Sequence, residues 1–263
     1  MGRIYTMVNQ KGGVGKTTTA INLGAYLSRF GQQVLIVDID PQANATSSLG
    51  VEKHTVKGGV YEALLNSSPA TPFILLNTRL GLSLLPASPS LAGAEIELVN
   101  ELGRESKLKI ALEPVTDLYD YILVDCPPSL GLLAINGLMA AKDGVIIPVQ
   151  CEYLALEGIG ELTRTIQRVR MALFPNLKVR GVVMTMFDSR THLATDVVAE
   201  VKKHFSALVF ETIIPRSIRL AEAPSYGLPI SSYAPTSLAA KAYESLAREV
   251  LMGDGLIDPK LQE

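Results

Sequence analysis

Apolar positions along this chain gather into short unbroken runs, most of them followed by a polar or glycine-bearing turn and then by a segment of helical period. The runs are Ile4 to Val8, Gln33 to Asp38, Leu82 to Pro86, Tyr121 to Val124, Val145 to Val149, Val179 to Met186 and Val209 to Ile214. Gln33 to Asp38 is too continuously apolar for a half-exposed strand and fits a central parallel one, buried on both faces. Helical period marks Thr18 to Phe30, where Ile21, Leu23, Gly24 and Leu27 recur before Gly31 closes the segment. It returns in Val60 to Leu65, Ala92 to Leu112 with an interruption at Gly103, Ser129 to Ala141, Glu161 to Leu173, Val197 to Phe205 and Ser237 to Met252. The polar stretch that opens Asn44 to Ser68 shows no chemistry at this level.

Composition narrows the class. With 263 residues, 48% hydrophobic and 19% charged, the chain can bury the core of one large α/β domain over 1–263, with a polar tail from about 253 to 263. No apolar run approaches the ~18 residues of a membrane span, and the first residues lack the parts of a signal peptide, so a cytoplasmic protein is expected. Met1-Gly2 with Thr6 fits a myristoylation pattern, but these residues lead straight into the first apolar run, where a buried terminus is the plainer reading. Cys126 and Cys151 stand beside strand ends and read as small buried thiols in a reducing compartment.

Net charge is −2 with a pI near 6.0, which alone argues against a nucleic-acid partner. The distribution argues the other way. From Arg164 to Arg219 ten Lys or Arg stand against four Asp or Glu, so this block is +6 and the remainder −8. Arg164, Arg168 and Arg170 read as the solvated face of their helix.

The strongest chemistry follows the first run. Asn9-Gln10-Lys11-Gly12-Gly13-Val14-Gly15-Lys16-Thr17-Thr18-Thr19 joins a strand to a helix through a glycine-rich turn. Such a turn converges backbone N–H groups on an anion, and the unpaired N–H groups of the helix start face the same anion. The cradle comprises Lys11, Gly12, Gly13, Val14, Gly15, Lys16, Thr17 and Thr18, with Lys16 reaching the β and γ phosphates and the Thr17 hydroxyl placed for Mg²⁺. Asp38-Ile39-Asp40-Pro41-Gln42 ends the second run, and period-two alternation points the two carboxylates the same way. Beside a triphosphate they would repel it unless Mg²⁺ or a polarised water lay between. Tyr121 to Asp125 is an apolar strand ending in one carboxylate, which suits the Mg²⁺ shell.

The cradle departs from the usual G-x-x-x-x-G-K-[ST] by carrying Gln10 at the first glycine and a lysine at 11. K-G-G-x-G-K-[ST] resembles the deviant Walker A motif of the ParA/MinD group of ATPases, and D-x-D-P-Q and D-C-P-P-S resemble that group's partition branch. Together the blocks cover residues 3 to about 250, and the length resembles the short chromosomal, Soj-like ParA type. The resemblance implies a Rossmann-like P-loop ATPase fold, a twisted, mostly parallel sheet with helices on both faces. It implies ATP and Mg²⁺ as ligands, Lys11 crossing to the partner's nucleotide in an ATP-dependent homodimer, Asp40 positioning the attacking water, and Thr17, Asp38, Asp40 and Asp125 around Mg²⁺, some of them through water. Pro215 is carried over to the base pocket, Arg190 and Arg219 to nonspecific double-stranded DNA, and Arg216 to either. A ParB-type, centromere-binding partner would accelerate hydrolysis.

Two rivals share these motifs. A MinD-like membrane regulator would need a basic amphipathic C-terminal helix, and the last eleven residues carry one lysine against three acids. An enzyme like the nitrogenase iron protein would need cysteines placed to bridge a cluster, which Cys126 and Cys151 do not match. No membrane association is expected.

Overall fold

The computed structural model describes residues 2–77, 80–153 and 155–257, except for the side chains of 155–159. Among these, eight strands form one sheet: β1 (Arg3–Met7), β2 (Val34–Asp38), β3 (Leu75–Asn77), β4 (Leu82–Leu85), β5 (Tyr121–Asp125), β6 (Gly144–Gln150), β7 (Val179–Phe187) and β8 (Val209–Pro215). They lie in the order β3-β4-β2-β5-β1-β6-β7-β8, and β3 against β4 is the one antiparallel pairing.

The continuous apolar runs are explained by what each strand meets on its two faces. In β2, Val34 and Ile36 enter one core while Leu35 and Val37 enter another; in β5, Tyr121 and Leu123 part from Ile122 and Val124 in the same way. Each residue points opposite to its neighbour, so a strand covered on both sides has no position left for a polar residue until it ends. One face is covered by the helices Lys16–Arg29 and Leu238–Gly253. Gly24 allows the first of these to approach β2, since a Cβ there would come within 2.7 Å of Ile36 Cδ1. The other face carries Val60–Leu65, Leu91–Glu97, Lys107–Leu112 and Leu132–Ala140 over β2 and β5, and Ala155–Ala172 and His192–Phe205 over β6 and β7.

Gly2 and Asp254, near the two limits of the described residues, are both tied to the amino ends of the strands. The Gly2 N–H donates to the Thr116 carbonyl at 2.9 Å, and Gly2 packs against the Tyr119 carbonyl with no room for a Cβ. Gly2 and Thr6 of the myristoylation pattern thus lie in packed backbone, and Met1 lies outside the described residues. Asp254, just beyond the last helix, accepts from Tyr5 Oη, Tyr121 Oη and Arg180 Nε. Of the expected polar tail, 253 belongs to that helix and 258–263 lie outside the described residues. No helix among the described residues is long and apolar enough to cross a membrane.

Register decides where chemistry can gather. Asp125 pairs with Met7 on one side and with Asp38 on the other, so β1, β5 and β2 end level with one another. Their carboxyl ends open together into the loops that carry the glycine-rich turn and the two acidic motifs, the crevice where open α/β sheets bind ligands.

Candidate functional site

The turn after β1 is held from below. Asn9 Nδ2 donates to the Pro148 carbonyl at 2.7 Å, and Asn9 Oδ1 accepts from the Lys11 N–H at 3.0 Å. Gly13 (φ 75°) and Gly15 (φ 92°) occupy the left-handed region, where a side chain is strained, and Gly15 hands the chain to a helix starting at Lys16. Gly12 lacks that conformation; a Cβ there would find only Pro128 Cβ, at 4.0 Å. Thr185 Oγ1, from β7, donates to the Val14 carbonyl at 2.8 Å and fixes the top of the turn.

Lys16 is only 6% exposed, and its Nζ donates to the Lys11 carbonyl at 3.3 Å, inside the turn. Burial pulls its pKa down, opposed by the nearby Asp125, Cys126 and Asp40. An anion entering the turn would relieve that desolvation. Lys11 behaves differently: its Nζ lies 3.5 Å from Glu152 Oε2, and Arg216 Nη2 lies 3.1 Å from Glu152 Oε1. Both pairs are partly exposed and so are readily exchanged for other partners.

Three carboxylates meet at the level strand ends. Asp125 is fully buried; Oδ2 accepts from Thr17 Oγ1 at 2.6 Å, while Oδ1 has no partner although it is out of contact with solvent. Desolvation pushes the Asp125 pKa well up, and Asp38 adds to the push. A buried acceptor left orphaned beside a hydroxyl and other acids fits a hydrated Mg²⁺: the ion's waters are donors, and its charge reverses the penalty. Asp38 is equally buried but occupied. Its Oδ1 accepts from the Asp40 N–H at 3.1 Å, and its Oδ2 accepts from the Thr46 N–H at 2.8 Å and Thr46 Oγ1 at 2.7 Å. Burial raises it to about 6. Asp40 is 7% exposed and its Oδ1 accepts from the Gln42 N–H at 2.9 Å.

A cavity of about 360 Å³ opens beside the turn. Gly15 and Thr18 of the turn line it together with Pro215, Arg216, Met186 and Tyr243. Its depth and mostly apolar wall suit a flat heterocyclic base stacked next to the phosphate cradle. Thr185, Met186 and Tyr243 were not legible as site residues. Thr185 did interrupt an apolar run near its carboxyl end, which is the signal that could have found it.

Arg190 lies outside this crevice, on the loop after β7, and Arg219 on the short helix Ile218–Glu222 after β8. Neither is unengaged. Arg190 binds Asp188 at 2.7 Å while staying 84% exposed, and Arg219 binds Glu222 at 2.9 Å, with Tyr233 Oη donating to the same carboxylate. Arg190 holds Asp188 well below the usual carboxylate range, with Arg216 contributing. Both cysteines are buried, Cys126 with its Sγ against Gly137; burial pushes the Cys151 thiol up to about 12.

Comparison with known proteins agrees with this geometry. A family model described as an AAA domain matches residues 2–179. The chain is 54% identical over 250 residues to the sporulation initiation inhibitor protein Soj of Bacillus subtilis, covering 95% of this chain and 98% of that protein. It is 50% identical over 260 residues to the chromosome partitioning protein ParA of Myxococcus xanthus, covering 99% and 92%. Among solved structures, cobyrinic acid a,c-diamide synthase from Mycobacterium smegmatis with bound ADP and magnesium superposes with a TM-score of 0.85 at 39% identity, over 97% of this chain and 96% of that one.

Proposed function

Since the chain belongs to the ParA/Soj family of ATP-dependent partitioning ATPases, we propose that it works as a nucleotide-driven dimer that holds DNA while ATP is intact and lets go on hydrolysis. The observation that carries this reading is the meeting of Lys16, Asp125 with its orphaned oxygen, and Asp40 at three level strand ends, with Lys11 at the rim. The adenine enters the cavity lined by Pro215 and Arg216, and the triphosphate lies in the turn from Lys11 to Thr18.

Lys16 binds the β and γ phosphates in exchange for its bond to the Lys11 carbonyl. Thr17 and Asp125 are the residues that would hold Mg²⁺, directly or through water, and the ion would neutralise charge on the phosphate oxygens. Asp40 orients a water in line with the terminal phosphorus; the new P–O bond forms as the bond to the bridging oxygen breaks, leaving ADP and phosphate. Lys11 leaves Glu152 to reach the nucleotide of a second subunit, so that two chains close over two ATP molecules. Dimerisation doubles a basic surface that a single chain offers weakly, and Arg190, Arg219 and Arg216 meet DNA phosphates there without reading sequence. A ParB-type partner bound to centromere-like DNA completes the cycle by accelerating hydrolysis.

Binding of random-sequence duplex measured with Mg-ATP, with Mg-ADP and without nucleotide tests the reading. Retention with ATP alone is expected. Equal DNA binding in all three states overturns it, and ATP-dependent binding to anionic vesicles without DNA binding replaces it by the MinD-type alternative.

A further inference from the structure

We propose that Thr46 is a positioning residue for hydrolysis, holding Asp40 over the nucleotide by wiring the loop that carries it to two strands of the sheet. The inference rests on the reading of this crevice as an ATPase site and names a group that neither the motifs nor the family resemblance assigns.

Asp40 leaves β2 on a loop, Asp40 to Ala43, that ends at the short helix Asn44–Ser48. Pro41 fixes its own φ, but nothing in the sequence of that loop compels the turn at Ala43. Ala43 lies in the left-handed region at φ 52° and ψ 42°, an arrangement that a residue with a Cβ adopts only when its surroundings impose it. The imposing contacts come from the two ends. At the near end, the Asp40 N–H donates to Asp38 Oδ1. At the far end, the Thr46 N–H and Oγ1 both donate to Asp38 Oδ2, so one carboxylate fastens both ends of the loop. Within the span, the Ala43 N–H donates to the Asp40 carbonyl at 2.8 Å and the Gln42 N–H to Asp40 Oδ1 at 2.9 Å.

Thr46 does more than close this ring. While its hydroxyl donates to Asp38 at 2.7 Å, its oxygen accepts from the Ala87 N–H at 2.9 Å. Ala87 follows β4, the neighbour of β2 in the sheet, where Val37 pairs with Leu85. The hydroxyl therefore bridges the carboxyl ends of two adjacent strands, and both Thr46 and Ala87 are fully buried. Without the hydroxyl, the Ala87 N–H is deprived of a partner that water cannot replace, and Asp38 Oδ2 of its shorter bond. The helix 44–48 is then free to shift and Asp40 with it. Lys16, Thr17 and Gly15 are placed by β1 and the helix after it, so ground-state binding of the phosphates does not depend on Thr46.

The test is ATP turnover by the full chain with Mg²⁺, with Thr46→Val, which keeps the shape and removes the hydroxyl, and Thr46→Ser, which keeps the hydroxyl and removes the methyl. Displacing a catalytic group by about 1 Å can lower the rate by ~10²-fold, so Thr46→Val is expected to reduce kcat by about 10- to 100-fold. The KM for ATP is expected to stay within about threefold, and Thr46→Ser to recover most of kcat. Combining Thr46→Val with Asp40→Ala should lower turnover no further than Asp40→Ala alone. Wild-type kcat in Thr46→Val, an equal loss of kcat and ATP affinity, or a Thr46→Ser variant that folds but stays as slow as Thr46→Val overturns the proposal. If Thr46→Val does not fold, the Thr46→Ser rate decides: turnover near wild type upholds it and a large loss overturns it. Wild-type protein that failed to hydrolyse ATP would refute the reading of the site as a whole, whereas an active wild type with an equally active Thr46→Val refutes this inference only.

Discussion

Replacing Asp125 by Asn should make the ligand-free protein more stable and the Mg-nucleotide complex less so. The buried carboxylate has one oxygen on Thr17 Oγ1 and one with no partner, next to the equally buried Asp38. The substitution keeps a carbonyl oxygen for Thr17, removes the charge, and replaces the unpartnered oxygen by an amide donor beside the carboxylates of Asp38 and Asp40. Leaving a buried acceptor unsatisfied costs about 1–3 kcal/mol. For a chain of this size 1 kcal/mol moves Tm by roughly 2–4 °C, so the ligand-free variant should melt about 2–12 °C above wild type at neutral pH. The sign of the pH dependence follows from the raised pKa. A carboxyl whose folded pKa lies above its unfolded value binds protons more tightly in the folded state, so metal-free wild type should lose stability as pH rises through the folded pKa. Asp38, pushed up to about 6, adds a loss of the same sign between about pH 4 and 6. The advantage of Asp125→Asn should therefore shrink in acid. With Mg-ADP the order should reverse, because saturating ligand at about 100 times its Kd adds about 2.7 kcal/mol to wild type, and the variant is without the carboxylate that the ion requires. Thermal melts in EDTA and in Mg-ADP across pH 5–8 read both effects. A variant less stable than wild type in EDTA, or stabilised equally by Mg-ADP, would refute the assignment of Asp125 to the metal.

Other substitutions separate the remaining roles. Lys16→Ala should abolish ATP binding and with it dimerisation, while Asp40→Ala should bind ATP and accumulate as dimer; wild-type turnover in Asp40→Ala would remove its role in placing water. Gly12→Val should still fold, since a Cβ added there meets only Pro128 Cβ, at 4.0 Å, yet fail to dimerise with ATP, as should Lys11→Ala. Light scattering that found wild-type dimer fractions would place the interface elsewhere. The double variant Arg190→Ala, Arg219→Ala should dimerise normally but bind duplex with a shallower salt dependence, the slope of log K on log salt falling by ~0.9 for each phosphate left without its arginine. Glu222→Ala should tighten DNA binding by freeing Arg219; gel shifts of the double variant that match wild type across a salt series would take both arginines off the DNA surface.

The parallel strands were legible because burial on both faces leaves a continuous apolar run, and the glycine turn and acidic strand ends were legible because phosphate and metal chemistry restrict residue choice. What escaped had no such constraint. β3 is three residues at a sheet edge with Leu75 and Leu76 exposed, so no pattern marks it. The helix His192–Phe205 starts five residues before the apolar period becomes visible, on a Thr191 cap whose Oγ1 accepts from the Ala194 N–H. Ala155–Ala172 also starts earlier than expected, through Gly158 and Gly160. Around Gly103, which takes a φ of 66°, the expected interruption is wider than one residue, with short 3₁₀ turns at Leu98–Asn100 and Arg104–Ser106.

The harder limit concerns partners across the fold. Asp38 and Asp40 look alike in the sequence, two carboxylates that alternation points the same way, and only the family resemblance assigned them different tasks. Space divides them: Asp38 commits its oxygens to Asp40, Thr46 and the path of the loop, whereas Asp40 is fastened through Gln42 at the crevice. The partner that separates their roles sits eight residues on, in a polar stretch with no pattern of its own. The basic block shows the same limit in reverse. Its ten cations segregate along the chain, but Arg190 and Arg219 close ion pairs with Asp188 and Glu222, one inside the block and one just beyond it. Exposed pairs of this kind are weak and readily exchanged, so they do not keep the arginines from a phosphate backbone, while each acid lowers the field that a single subunit presents. A surface that is weak alone and sufficient when doubled is what an ATP-dependent grip on DNA requires.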